Sequence, residues 1–186
     1  MKFVELDWAN EALAEMLGAK DLVRYEKAWI DYLHYLDRAW NKLSKYCNAH
    51  GIGQQHVSDV GNLRTNDALL KYLKQARNSD EHSISEVVAV EAAKTTVTGG
   101  VGGGTIERGA IHGSGQTHGL VTSGNVEIKF HPEHLVVIPV MSRGVEYQVP
   151  TEHLGKSIAT QLPHELARMG LDFYQDIAKK ILLLPT

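Results

Sequence analysis

The sequence predicts a mainly α protein, a helical bundle carrying a β-hairpin or meander insertion ahead of its C-terminal helix. Three observations point there. Residues 22–47 hold an apolar stripe at steps of three and four, the repeat of one face of an α-helix. Shorter stripes of the same kind recur at 69–76 and 166–181. Between them, residues 95–149 turn glycine-dense and β-branched, with turn residues at intervals.

Asp7 is placed to cap a first short helix, Trp8 to about Gly18, with Leu13, Met16 and Leu17 on one side. Asp21 caps a long second helix reaching about His50. Its stripe is Leu22, Tyr25, Trp29, Leu33, Leu36, Trp40, Leu43 and Cys47, widened by Tyr32, Tyr35 and Tyr46. That much aromatic area fits equally the core of one chain or a face shared with a second copy. Gly51 and Gly53 end the helix, and 51–65 read as a polar connection.

Asn66 is the cap expected for a third helix. At 100° per residue from Leu69, its apolar positions Leu69, Tyr72, Leu73 and Ala76 span about −60° to +40°. Leu70 falls near 100° and Arg77 near 80°, so Arg77 stands at the edge of the buried arc. A guanidinium there needs a partner or a wet pocket. Beyond it, Asn78, Ser79 and Asp80 are poor helix-interior residues, and Ser83 to Glu86 has the form of a capping box. Two readings stay open: a break near 79–83 with a new helix through Val87, Val88, Val90 and Ala93 to about Lys94, or one continuous helix over 66–94.

The glycine-rich stretch 95–124 is expected to be a flexible or β excursion. It has no Gly-Lys-Ser/Thr and no βαβ context, so neither a phosphate loop nor a dinucleotide site is expected, and no cofactor is implied. Residues 126–130, 135–141 and 145–149 read as strands of an antiparallel meander, turning at Pro132-Glu133 and at Ser142-Arg143-Gly144. Pro163 opens the last helix, with Leu166, Met169, Phe173, Ile177, Lys180 and Ile181 as its stripe and Pro185 closing it. Gly170 inside that helix costs about 1 kcal/mol unless a close neighbour needs the space. The organisation is thus a helical bundle over 1–94, an insertion over 95–155 and a completing helix over 156–186.

At 186 residues the chain can bury a core without staples. A net charge of −3 argues against a surface that grips nucleic acid everywhere, so RNA would need a local basic patch. The single Cys47 cannot form an internal disulfide, and no apolar run approaches the length of a membrane span. The first residues lack the apolar core of a signal peptide, and a reducing cytoplasm is the expected location.

Ten histidines invite a metal reading. His131 and His134 flank a proline turn, His112 and His118 lie in glycine-rich sequence, and His153 follows the last strand. None has zinc-site spacing, and no metal site is expected. Ser114 lacks the strand–turn–helix setting of an activated nucleophile. Asp80 and Glu81 are adjacent and would point apart on a helix.

What remains is Arg77, with polar Asn78 beside it and His82 after four intervening residues. The plain reading is an Arg77–Glu81 ion pair and a surface histidine. On an otherwise helical chain, however, these three residues resemble the motif of the HEPN superfamily. The resemblance covers about residues 1–94 and the terminal helix. Ile84 stands where the best-known toxins of that family often carry a tyrosine, which separates the chain from that subgroup's pattern.

The resemblance implies a HEPN-like helical bundle, a homodimer whose cleft joins two copies of the motif, and metal-independent cleavage of RNA in a toxin or defence setting. His82 would serve as general acid or base on the ribose 2′-hydroxyl and the leaving 5′-oxygen. Arg77 would stabilise charge on the phosphorane, and Asn78 would orient the histidine or a phosphate oxygen. Lys71 and Lys74 would supply the basic patch, although a solvated helix face explains them as well. An antitoxin or other protein partner is also implied. The alternative is a non-catalytic HEPN-like module that binds RNA or protein; a third is a helical protein in which the motif is accidental.

Overall fold

The computed structural model describes residues 3–51, 54–82, 86–99, 105–106, 110–111, 117–118, 122–123 and 126–183, with the side chains of 81–82 and 97–128 outside that description. The chain divides into two compact units, Met1–Ala89 with Val136–Thr186, and Val90–Leu135. Residues 136–155, assigned to the insertion from sequence, therefore belong to the first unit.

The first unit is helical. Helix α1 spans Val4–Gly18, α2 Leu22–His50, α3 Gln54–Asn66, α4 Ala68–His82 and α5 Pro163–Leu182. Helix α1 starts four residues before the expected Trp8, so Asp7 lies within its first turn and the N-cap position falls at Phe3. Packing sets that start, because the buried row Leu6, Ala9, Leu13 and Met16 already runs at helical spacing from Leu6. Helix α2 begins as expected, with the Arg24 N–H donating to Asp21 Oδ1 at 2.8 Å, and stops at Gly51 with φ 63°. That left-handed turn is what glycine adopts without a steric penalty.

The aromatic side chains of α2 find partners within this chain. Trp29 stacks on Tyr32, and both are wholly buried; Tyr35 meets Trp8, Trp40 meets Tyr174 and Tyr46 meets Phe3. Tyr32 also donates to the Ala167 carbonyl of α5 at 2.7 Å. A Cβ built at Gly170 would come within 2.6 Å of Leu73 Cδ1 and 2.9 Å of Tyr32 Oη, so the glycine lets α5 approach α2 and α4.

Residues 54–66, expected as connection, form α3. Only Val60 and Arg64 of that helix are buried, too few to mark a stripe in the sequence. The cap of α4 is Asp67, not Asn66: its Oδ1 accepts from the Leu70 N–H at 2.9 Å. Helix α4 then continues through Ser79 and Asp80 and ends at His82, inside the 79–83 range where one of the two readings placed a break. The postulated capping box lies outside the described residues at Ser83.

Neither helical reading of 87–94 holds, because strand β1 occupies Val88–Glu91 and β2 Lys94–Gly99. Val87 and Val88 are buried, and β-branched residues pack well on a pleated surface. The strands β3 (Thr105–Ile106), β4 (Ala110–Ile111), β5 (Thr117–His118), β6 (Thr122–Ser123), β7 (Val126–His131) and β8 (His134–Val137) follow. They pair in nested order, β1 with β8, β2 with β7, β3 with β6 and β4 with β5. The expected hairpin between β7 and β8 therefore does not form; β7 runs antiparallel to β2 from Lys94↔His131 to Gly99↔Val126. The next hairpin does form, between β9 (Val140–Ser142) and β10 (Val145–Tyr147), turning on Arg143 and Gly144 at positive φ. A last short hairpin joins β11 (Glu152–His153) to β12 (Lys156–Ser157). Helix α5 then begins at Pro163 as expected and ends at Leu182, ahead of Pro185, which is outside the described residues.

Candidate functional site

Arg77 sits where its helical angle placed it, half-buried at 23% side-chain exposure on α4. Its partners include a neighbour on α4 and a carboxylate on α2. Nη1 donates to Asn78 Oδ1 at 3.2 Å, and Nη2 lies 3.7 Å from Asp37 Oδ2 on α2. Asn78 in turn donates to Gln75 Oε1 at 3.3 Å. The structure thus joins Arg77 and Asn78.

Asp37 is held more tightly by another arginine. Arg64 Nη2 of α3 donates to Asp37 Oδ1 at 2.7 Å, with exposures of 8% and 15% for the two side chains. Asn41 donates to Oδ2 at 3.1 Å. The Arg64 guanidinium also lies 4.9 Å from the Trp40 ring centre and 6.0 Å from that of Tyr174, a setting in which a weakly hydrated planar cation is favoured. Burial pushes the Tyr174 hydroxyl up to about 12, against the opposing pull of Arg64. One turn before Asp37, His34 Nε2 lies 3.1 Å from Asp80 Oδ2 of α4.

The residues therefore form a polar seam along α2, α3 and α4. Asp37 is shared by Arg64, Asn41 and, at the longer distance, Arg77.

His82 is the last residue of α4; its side chain is outside the described ones. Since α4 is unbroken from Arg77 onward, position 82 lies about 140° around the axis and about 7.5 Å along it. Lys71, Lys74 and Arg77 follow at three-residue steps and form a slanted ridge on α4, each step turning about 60° back. Lys71 Nζ stands 5.6 Å from the Tyr147 ring centre, beside a cleft of about 330 Å³ lined in part by Asn66, Tyr147 and Gln148. Lys74 is half-buried.

Sequence reading missed both the meeting of Arg64 and Arg77 at Asp37 and the pairing of His34 with Asp80. Asp37 gave one signal, a carboxylate beside the apolar stripe between Leu36 and Trp40. Arg64 gave none, because its helix went unseen.

The remaining histidines have separate places. His134 donates through Nδ1 to the Pro132 carbonyl at 3.0 Å and faces Glu91 at 3.4 Å. His153 Nδ1 lies 3.0 Å from Asp67 Oδ1. His112 and Ser114 are outside the described residues. Among the described residues no three His, Cys, Asp or Glu side chains are grouped to hold a metal ion. Cys47 is buried, and burial raises its thiol above the ordinary value. No helix among the described residues is long and apolar enough to cross a membrane.

Comparison with family models, curated proteins and solved structures finds no match to this chain.

Proposed function

We propose that the chain is a HEPN-type RNA endonuclease, metal-independent, acting in the cytoplasm at the cleft of a homodimer and serving a toxin or defence role. The observation that carries this reading is the sharing of Asp37 by Arg64 and Arg77. A half-buried guanidinium beside a carboxylate that a second arginine also holds suits an anion such as a phosphodiester. Asn78 holds the same guanidinium from its own helix and sets its orientation. The ridge of Lys71 and Lys74 gives the backbone of an RNA strand further positive charge on the approach to Arg77. His82 supplies proton transfer, and a second copy of the chain brings another Arg77–His82 pair to the cleft.

A non-catalytic HEPN-like module that binds RNA or protein is the second reading, and one observation favours it. The pairing of Arg77 with Asp37 fastens α4 to α2 within a single chain, a role that needs no substrate. An antitoxin-like protein partner fits either reading.

The deciding experiment incubates the purified protein with structured and unstructured RNA in EDTA. We expect cleavage that disappears in Arg77→Ala and in His82→Ala while the dimer persists in sedimentation. RNA left intact under every condition, with no toxicity on induced expression, would sink the nuclease reading and leave the module.

A further inference from the structure

A cleft of about 330 Å³ opens between the start of α4 and the chain leaving β10. Asn66, Lys71 and Tyr72 line it from the helices, and Glu146, Tyr147 and Gln148 from the hairpin side. That volume is at the lower end of small-molecule sites, about 300–1,000 Å³, and suits a single planar base. Both sides are fastened before any ligand arrives. The Tyr72 hydroxyl donates to the Ile138 carbonyl at 2.7 Å, and the Ile158 N–H donates to the Thr151 carbonyl at 2.8 Å. Asp67, at the head of α4, accepts from the Leu154 N–H at 2.7 Å and ties the two sides together. A preformed cleft avoids the ordering cost that weakens binding by mobile segments.

The lining chemistry is that of a base and its phosphate. Tyr147 is half-buried and presents a ring that already draws the Lys71 ammonium, 5.6 Å from its centre. Aromatic rings are the platforms on which unpaired bases stack. Lys71 is exposed, and its flexible stem can carry the ammonium to the phosphate next to a stacked base. Beside the ring, Gln148 Nε2 donates to Glu146 Oε2 at 2.7 Å. That bond commits the amide nitrogen, so the pair offers a ligand mainly acceptor oxygens. Adenine, cytosine and guanine carry an exocyclic amine that can donate to them; uracil carries none. The Glu146 carboxylate also repels a phosphate from the cleft, so the base enters and the backbone keeps to Lys71 and Lys74. Lys71 lies about 9 Å along α4 from Arg77, which sets this place apart from the phosphate assigned to Arg77.

We propose that this cleft is a base-recognition subsite for single-stranded RNA. Tyr147 stacks on one base, Glu146 and Gln148 select bases that carry an exocyclic amine, and Lys71 holds the adjoining phosphate. The proposal rests on the RNA-binding part of the reading above and adds to it the base that is read. Duplex RNA does not fit, because its bases stay stacked on one another.

The test measures binding of short fluorescent oligo-A, oligo-C and oligo-U by anisotropy, with the full-length protein at one fixed salt concentration. The chains are built of 2′-O-methyl nucleotides, which lack the attacking hydroxyl and so stay intact. Oligo-A and oligo-C should bind about threefold or more tighter than oligo-U. Tyr147→Leu should weaken oligo-A by about tenfold, while Tyr147→Phe, which keeps the ring, stays within about twofold. An abasic chain of the same length should bind wild type and Tyr147→Leu alike. Glu146→Gln, with both a donor and an acceptor, should close the gap between oligo-A and oligo-U.

A folded Tyr147→Leu protein that binds oligo-A within about twofold of wild type overturns the proposal. If Arg77→Ala is then weakened, RNA binding survives without this cleft. An equal loss on the abasic chain also overturns it, because Tyr147 would then be acting without a base. A wild type that binds none of the chains removes the RNA reading and this proposal together. Should Tyr147→Leu fail to melt cooperatively, Glu146→Gln decides, and an unchanged base preference counts against the cleft.

Discussion

Asp67 holds three groups at once: the Leu70 N–H at the start of α4, the Leu154 N–H at 2.7 Å and the His153 ring. Burial acts to raise its carboxyl, but these donors outweigh it and the net value lies below the ordinary one. A carboxylate depressed in the folded state stabilises fully above the unfolded value near 4, and its contribution is lost as pH falls through the folded value. His164 acts in the same direction. Burial holds its imidazole below the ordinary histidine value, so the folded state binds fewer protons and stability begins to fall below about pH 6.5. Urea unfolding should therefore show lower stability at acid pH than at neutrality. Asp67→Asn should flatten the lower part of that dependence and cost about 1–2 kcal/mol at neutral pH. An unchanged acid slope in the variant would contradict this account. Arg77 was legible at this scale, since counting 100° per residue placed it at the buried edge. Asp37, its partner, was not: α2 must first pack on α4 before the two side chains meet.

Gly170 sets the closeness of α5 to its neighbours. Alanine there would gain about 1 kcal/mol of helix propensity but must displace Leu73 and the hydrogen-bonded Tyr32, and such overpacking costs about 1–3 kcal/mol. Gly170→Ala should lower stability by about 1 kcal/mol in urea unfolding, and a more stable variant would show that the helices have room. The sequence marked this glycine as anomalous and could not say which neighbours required it. The elements read most faithfully were α2 and α5, whose stripes are long and regular. Helix α3 went unread because it is held largely by Arg64 and Val60. Residues 88–91 were read as helix because a short apolar run suits either conformation, and only pairing with β8 decides.

The two compact units invite a test at the scale of the whole molecule. Because β1 pairs with β8, residues 92–133 can be replaced by an Asn-Gly turn that closes the two strands as a hairpin. The first unit, which holds the five described helices, should still melt cooperatively, with a midpoint within about 8 °C of the full chain. A broad, non-cooperative melt would mean that Val90–Leu135 is needed for the helical unit to fold. The sequence by itself determined the helical class, the hairpin at 142–145, the start of the last helix and the exposure class of Arg77. Local periodicity and turn chemistry encode these within a few residues. Only the tertiary structure decided that α4 continues to His82, that β7 chooses β2 over β8, that Arg64 and Arg77 meet at Asp37, and that His34 meets Asp80. Each of those outcomes depends on partners remote in sequence, whose energies no local window contains.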